Sequence, residues 1–323
     1  MSSGDDKFRI WDSYWSSDRL HSFGADSDPQ AAQTLDRYWS NIVRRLAAGS
    51  SILDIGCGNG AVGLIMKRTA QALGGSLAIS AIDEAAIDPT RYLPQYAETL
   101  KDIDFRANTT MEALPYADAS FDAVVSQFGL EFGNLPKALG EAARVAKPNG
   151  MLTILALPAS SVAVQTAKKT VKQARFLLRD AALFNDAFRI IQEFHHGDPE
   201  TREEKMRAHL EGFNREVERT VGQFDASESD VVFAIIMGLN QVFVDRKSKP
   251  GDQQMMAIET VRTGLAQYAA RAQATMKAAL NDSNLETLKR AIVSTGFKLL
   301  ETRSLISARG TMAWQLTAER LPA

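Results

Sequence analysis

The residues with the clearest chemical use in this chain lie between Ser51 and Gly63, in the run SILDIGCGNGAVG. Ile52, Leu53 and Ile55 form a short apolar run whose only charge is Asp54, the pattern of a strand buried on both faces of a parallel sheet. Gly56, Gly58, Gly60 and Gly63 follow, and Leu64, Ile65 and Met66 then open a helical pattern. Glycines are needed at such a turn because only a backbone without side chains lets a ligand lie against a helix N-terminus. Gly58, Gly60 and Gly63 match G-x-G-x-x-G, and Asp83, 20 residues beyond Gly63, closes a second apolar run, where an acid can hold a ribose. That is the dinucleotide fingerprint, and the loop alone does not choose between cofactors.

The whole chain bounds the choice. Its 323 residues suit one large domain or two smaller ones, and 45% hydrophobic with 24% charged residues is an ordinary globular composition. A net charge of −2 gives no general attraction to nucleic acid or to an anionic membrane. The opening MSSGDDKFRI lacks the basic-then-apolar order of a signal peptide, and no apolar run approaches the roughly 20 residues of a membrane span. Cys57 is the single cysteine, which excludes an intramolecular disulfide and a thiolate metal cluster. A cytoplasmic location is the expectation, with Cys57 read as a small packing residue of the turn.

The elements around the loop follow in order. Residues 1–28 carry Trp11, Tyr14, Trp15 and Phe23, an aromatic load unusual for a disordered tail. Asp28-Pro29 starts a helix to about Leu46, with Leu35, Tyr38, Trp39 and Ile42 on one face. Beyond the loop, a helix runs to Ala72, strands cover Leu77–Ile82, Ile103–Arg106, Phe121–Ser126 and Met151–Leu157, and helices start at Asp88-Pro89 and Pro136. Lys147-Pro148-Asn149-Gly150 reads as a stop and turn. From about Ala159 to Asp282 the periodicity is almost wholly helical, with helix starts at Asp198-Pro199 and at Ser227–Asp230. Ser283–Glu286 reads as another capping box, its helix ends at Gly296, and strands Phe297–Ser304 and Thr311–Ala318 close the chain around Ala308-Arg309-Gly310.

With Asp54 ahead of the first glycine, the loop resembles motif I of the class I S-adenosylmethionine-dependent methyltransferases. MEALPYADASFDAVVS (111–126), SQFGLEF and ALGEAARVAKPNG are similar to segments of the methyltransferase group of ubiquinone and menaquinone biosynthesis, in the same order. The resemblance covers about Ser51 to Leu157 and, more weakly, Asn284 to Arg320. It implies a doubly wound, mostly parallel α/β sheet of seven strands with the last antiparallel, interrupted by a large helical insertion. The implied division is 1–50 (aromatic lid and helix), 51–158 (cofactor-binding core), 159–283 (insertion, either lid or dimer interface) and 284–323 (end of the core). The resemblance further implies S-adenosylmethionine as cofactor. Asp54, Cys57 and the Gly56–Gly58 backbone would hold its methionine end and Asp83 its ribose. Met111, and the backbone around Thr110 to Glu112, would face the adenine, and Gln127 and Phe128 would lie beside the sulfonium and methionine. Many relatives carry Asp where this chain has Thr110.

Methyl transfer needs alignment and desolvation more than acid–base machinery, and a base only where the acceptor must lose a proton. Candidates for that base are Glu131, His21, His195 and His196. Adjacent histidines point apart on a helix, so no metal is expected from the pair. The apolar stripes at Phe176, Leu177, Phe184, Phe188 and Ile190, and again at Val231–Leu239, fit a self-contained helical core, a homodimer face or a partly apolar acceptor pocket. Trp11, Tyr14 and Trp15 are candidates to close over the site. The reading reached is a small-molecule methyltransferase without nucleic-acid or membrane partners. A protein or RNA methyltransferase, or a non-methylating protein of the same fold, are its alternatives.

Overall fold

The computed structural model of the protein describes residues 5–23 (side chains from Ile10), 28–225 and 229–322. The chain divides into an α/β unit, residues 1–165 with 274–323, and a helical unit, residues 166–273. In the α/β unit, β1 (Ser51–Ile55), β2 (Ala78–Ile82), β3 (Ile103–Arg106), β4 (Phe121–Gln127), β5 (Ala146–Ala156), β6 (Phe297–Ser307) and β7 (Gly310–Arg320) form one sheet in the order β3-β2-β1-β4-β5-β7-β6. Only β7 runs antiparallel, to β5 and β6 on either side. The order reverses between β1 and β4, which opens a crevice at the carboxyl ends of those strands. The apolar, doubly covered strand expected at Ile52–Ile55 is fully buried.

Helix α1 (Asp5–Trp15) precedes α2 (Pro29–Val43), whose N-cap Asp28 accepts from the amides of Gln30 and Ala31. Its inward face is Leu35, Tyr38, Trp39 and Ile42 as the spacing predicts, but the helix stops at Val43 and Leu46 packs from the following turn. Helix α3 (Ala61–Ala72) follows the glycine loop. The helix expected from Asp88-Pro89 is only one turn, α4 (Pro89–Tyr92). Pro94 lacks the amide needed to continue, and α5 (Ala97–Leu100) restarts it. After α6 (Leu135–Val145) the chain enters β5 at once: Ala146 pairs with Phe121, and Lys147–Gly150 bulge out with Asn149 at φ 63° before pairing resumes at Met151.

The helical unit contains α8 (Leu183–His196), α9 (Arg202–Val221) and α10 (Asp230–Val244), with most of α7 (Val162–Arg179) and α11 (Gly251–Ala278), which cross the unit boundaries. Leu177, Phe184, Ile190, Phe213, Val232, Leu239 and Ile258 are the centre of its core. Helix α9 starts at Arg202 rather than at Asp198-Pro199: those two residues form a turn in which Asp198 accepts from the Glu200 amide. Of the expected start at Ser227–Asp230, Ser227 and Glu228 lie outside the described residues. The last helix, α12 (Asp282–Ser294), is capped by Asn281, which accepts from Asn284, so Ser283 lies inside it rather than at its cap. No helix among the described residues is long and apolar enough to cross a membrane.

Candidate functional site at the glycine loop

The site is a cleft in the α/β unit enclosing about 860 Å³, part of it open to solvent. Its floor is the turn between β1 and α3. Gly56 takes φ 71°, and a Cβ there would meet the Gly129 backbone at 2.9 Å; Gly58 takes φ 52°, and a Cβ there would overlap the Trp15 indole. Both glycines are therefore demanded by conformation and by close approach together. Asp83 fixes the turn from β2, accepting from Gly58 N at 2.8 Å and from Ala85 N at 2.9 Å.

The electrostatics of the cleft are one-sided. Asp54, Asp83 and Glu84 line it, and among the described residues no Lys or Arg does. Asp54 is 1% exposed, and neither of its carboxylate oxygens has a hydrogen-bond partner. Burial pushes its pKa up to about 8, with the charge of Asp83 adding to the effect. Asp83 is pushed up to about 6 by burial, against the pull of the two amides it accepts from. Burial, then the charges of Asp83 and Asp54, also raises the Cys57 thiol, which makes it a poor nucleophile. A buried carboxylate without a partner costs free energy unless a cation or donor is brought to it.

The remaining wall comes from the N-terminal segment. Asn59, fully buried, reaches the carbonyls of Trp15, Ser17 and Arg19 at 3.0, 3.3 and 2.8 Å. Asp12 accepts from Ala86 N at 2.8 Å, Trp11 meets Phe132 edge-on at 5.4 Å, and Phe23 meets Phe128 edge-on at 5.5 Å. Residues 11–23 are thus tied to the cofactor loop and to the segment after β4.

Of the residues expected at a site, the structure brings Asp54, Gly56, Cys57, Asp83, Met111, Gln127, Phe128, Trp11 and Trp15 to the cleft wall, and Gly58 to the floor beneath Trp15. Gln127 also accepts from Trp39 Nε1 at 2.7 Å. Thr110 and Glu112 are not in the wall: they bond each other, and Glu112 accepts from Asn134 N at the start of α6. Tyr14 stands behind the wall, its hydroxyl donating to the His21 carbonyl at 3.2 Å. Glu131 turns to Leu157 N at 2.8 Å, buried, with its pKa raised by burial to about 7. His195 and His196 lie on α8 of the helical unit, His195 bonded to Gln254 at 3.0 Å. Among the described residues no cluster of His, Cys, Asp or Glu could hold a metal. Asn59, Asp12 and Phe132 were not singled out from the sequence. An amide side chain inside a glycine loop, where a small residue would suffice, was the available signal for Asn59.

Residues 53–154 match the family model described as a methyltransferase domain. A demethylmenaquinone methyltransferase of Renibacterium salmoninarum is 56% identical over 54 residues, 16% of this chain and 22% of that protein. The 27-O-demethylrifamycin SV methyltransferase of Amycolatopsis mediterranei is 29% identical over 164 residues, 48% of this chain and 57% of that one. The chain thus spans between about a fifth and three-fifths of the length of these curated relatives. In a crystal structure with S-adenosylhomocysteine, the 1,6-didemethyltoxoflavin-N1-methyltransferase of Burkholderia thailandensis is 11% identical, covering 100% of this chain and 92% of that one at a TM-score of 0.45. Residues 53–154 of the α/β unit thus match a methyltransferase domain, and the strand order is that of the class I methyltransferase fold, whose members use S-adenosylmethionine. The residues present fit that cofactor: an unpartnered carboxylate stands at the head of the loop, a second acid follows β2, and the turn has no room for a Cβ.

Proposed function

We propose that this chain transfers the methyl group of S-adenosylmethionine to a small, partly apolar organic acceptor, by in-line attack on the sulfonium methyl. The observation that carries the reading is Asp54, buried and unpartnered in a cleft that holds three acids and, among the described residues, no Lys or Arg. S-adenosylmethionine brings an ammonium and a sulfonium to such a site; a dinucleotide would bring a pyrophosphate and be repelled. Asp54 and the Gly56–Gly58 backbone would take the methionine end. Asp83 still has a lone pair on each oxygen for the ribose hydroxyls. Met111 would face the adenine, and Gln127 with Phe128 would flank the sulfonium. The aromatic wall from Trp11 to Phe23 excludes water and turns an apolar face to the acceptor. The names of the relatives, a demethylmenaquinone methyltransferase and a 27-O-demethylrifamycin SV methyltransferase, support a small acceptor. A cytoplasmic enzyme that forms a homodimer is the setting proposed with it.

Calorimetric titration with S-adenosylmethionine, S-adenosylhomocysteine and NAD tests the reading. The first two should bind and NAD should not. Tight NAD binding, or no binding of the first two, ends it.

A further inference from the structure

The net charge of −2 averages over a helical unit in which charge is distributed unevenly. Helix α9 carries five Lys or Arg and five Glu, and pairs Glu216 with Arg219 at 2.7 Å and Glu203 with Arg207 at 3.8 Å. Helix α7 is built differently. Lys168, Lys169, Lys172, Arg175 and Arg179 are all exposed, and the helix contains no Asp or Glu. Lys168, Lys172, Arg175 and Arg179 recur at spacings of 4, 3 and 4, which sets them in one line about 16 Å long on the helix surface. None of these four is ion-paired to another described residue; Lys172 instead stands over the Phe224 ring at 5.7 Å. Arg179 suits the carboxyl end of the helix dipole, but Lys168 and Lys172 lie too far from that end to gain from it.

Helix α11 extends the face. The Thr170 hydroxyl donates to the Tyr268 hydroxyl at 3.5 Å, which sets the two helices side by side, and the Arg271 guanidinium lies over the Tyr268 ring at 5.9 Å. From Thr263 to Gln273 this helix too has no acid. Leu178, 37% exposed, and Tyr268, 41% exposed, add apolar surface on the same two helices. Ala174 and Leu177, on the inner side of α7, are buried in the core of the unit, so the helix shows only its basic side. Like charges at i,i+4 destabilise a helix, and an anionic surface laid against them removes that repulsion.

We propose that this face of the helical unit docks on an anionic lipid surface. A bilayer spreads its charge over a plane, as the two adjoining helices spread theirs. Lys and Arg meet its phosphates, while Tyr and Leu fit the level of the headgroups. A single-stranded nucleic acid would need open aromatic rings on which to stack. The rings of this face already carry cations: Tyr268 has Arg271, Phe224 has Lys172, and Phe176 has Arg219 at 5.2 Å. Such docking is reversible and salt-sensitive, unlike an inserted helix. One consequence rests on the methyl-transfer reading: docking carries the enzyme to the phase in which a partly apolar acceptor collects.

The test uses the whole chain and sedimentation with vesicles of phosphatidylcholine, alone or with about 30% phosphatidylglycerol. The wild type should bind the anionic vesicles at about 0.1 M salt, leave them at about 0.5 M, and not bind the neutral ones. Each cation of the line should contribute about fivefold, so Lys172→Gln with Arg175→Gln should weaken binding about 25-fold. Arg207→Gln with Arg215→Gln removes the same charge from the exposed side of α9 and should leave binding nearly as it was. Melting temperatures equal to wild type show that both variants are folded. Absence of binding to the anionic vesicles, equal binding to both kinds, or equal loss in the two variants overturns the inference. So does binding of poly-glutamate or of a short DNA single strand that depends on the line, without vesicle binding; the face would then belong to an acidic protein or to nucleic acid. Calorimetry with S-adenosylhomocysteine should give one affinity for all three proteins. If the wild type fails to bind it, the methyl-transfer reading falls, and the vesicle result is decided separately.

Discussion

The two ends of the parallel sheet treat their acids in opposite ways. At the amino end, Asp122 in β4 accepts from Lys147 Nζ at 2.9 Å on both oxygens, and from the amide and hydroxyl of Ser51 at the start of β1. Those partners outweigh a partial burial and hold its pKa below the ordinary value. At the carboxyl end Asp54, Asp83 and Glu131 are all pushed up by burial, and among the described residues no cation lowers any of them. The same residue type, on neighbouring strands, is settled at one end and unsettled at the other. An enzyme needs its unsatisfied groups where the ligand arrives, and a fold needs its satisfied groups where nothing does.

The largest break in that contrast should come from Asp83→Ala. It removes the tie to Gly58 and, on the function proposed, two charge-assisted bonds to the ribose, each worth about 1.5–3 kcal/mol. Calorimetry should show affinity for S-adenosylhomocysteine lower by about 100-fold or more. Affinity equal to wild type would mean that the cofactor does not use this acid.

Asp54→Asn should move binding and stability in opposite directions. In the folded protein its pKa lies near 8, above the unfolded value of 3.8, so the native state holds the proton more tightly. Stability therefore falls as pH rises from about 4 to about 8 and stays low above that. Replacing the acid by a neutral amide should raise the melting temperature of the ligand-free protein at pH 8, by the equivalent of about 1–3 kcal/mol, while weakening cofactor binding. A variant that is less stable at that pH would show that Asp54 is satisfied after all. Binding of a cationic cofactor near pH 7 should also release protons from Asp54. The calorimetric enthalpy should then differ between buffers of low and high ionisation enthalpy, and equal enthalpies would exclude that coupling.

At the settled end the effect should be small. Lys147→Met should leave cofactor affinity unchanged and cost about 1 kcal/mol or less, since the pair is more than a third exposed. Because the pair lowers the pKa of Asp122, its contribution is present above the unfolded carboxylate value and disappears as pH falls through the lower folded one. Denaturant titrations at pH 7 and at pH 2.5 should differ accordingly. A loss of cofactor binding in Lys147→Met would erase the distinction between the two ends.

Much of this frame was legible in the sequence. The Ile52–Ile55 run, the glycine spacing and Asp83 located β1, its turn and the end of β2, because a doubly buried strand and a side-chain-free turn have few alternatives in residue type. The misjudged boundaries are places where a local signal met a competing one. Pro94 broke a helix whose start was read well, and Asn281 took the cap from Ser283. Glu112 was drawn to the amide of Asn134, and Thr110 to Glu112, because a long-range partner in α6 leaves no trace in the local pattern. For the same reason the aromatic N-terminus could be seen as a lid, whereas its attachment through Asn59 to three carbonyls could not.

One pair of backbone contacts bears on how such an enzyme changes its substrate over evolutionary time. Just past β5, Leu157 O accepts from Leu280 N at 2.8 Å, and Leu280 O accepts from Ala159 N at 2.9 Å. The chain leaves the sheet and returns to it at two points already stitched together, so everything between hangs from a closed neck. Closure entropy grows only slowly with loop length, about 0.6 kcal/mol per doubling, so the stitched neck tolerates cargo of very different size. The part such a neck would let be exchanged is the helical unit, residues 166–273, since Val164 and Ala279 belong to the core of the α/β unit. A chimera that keeps Leu157–Ala159 and Leu280 but carries another helical segment should retain its affinity for S-adenosylhomocysteine, and loss of that affinity in a folded chimera would show that the neck transmits more than it closes.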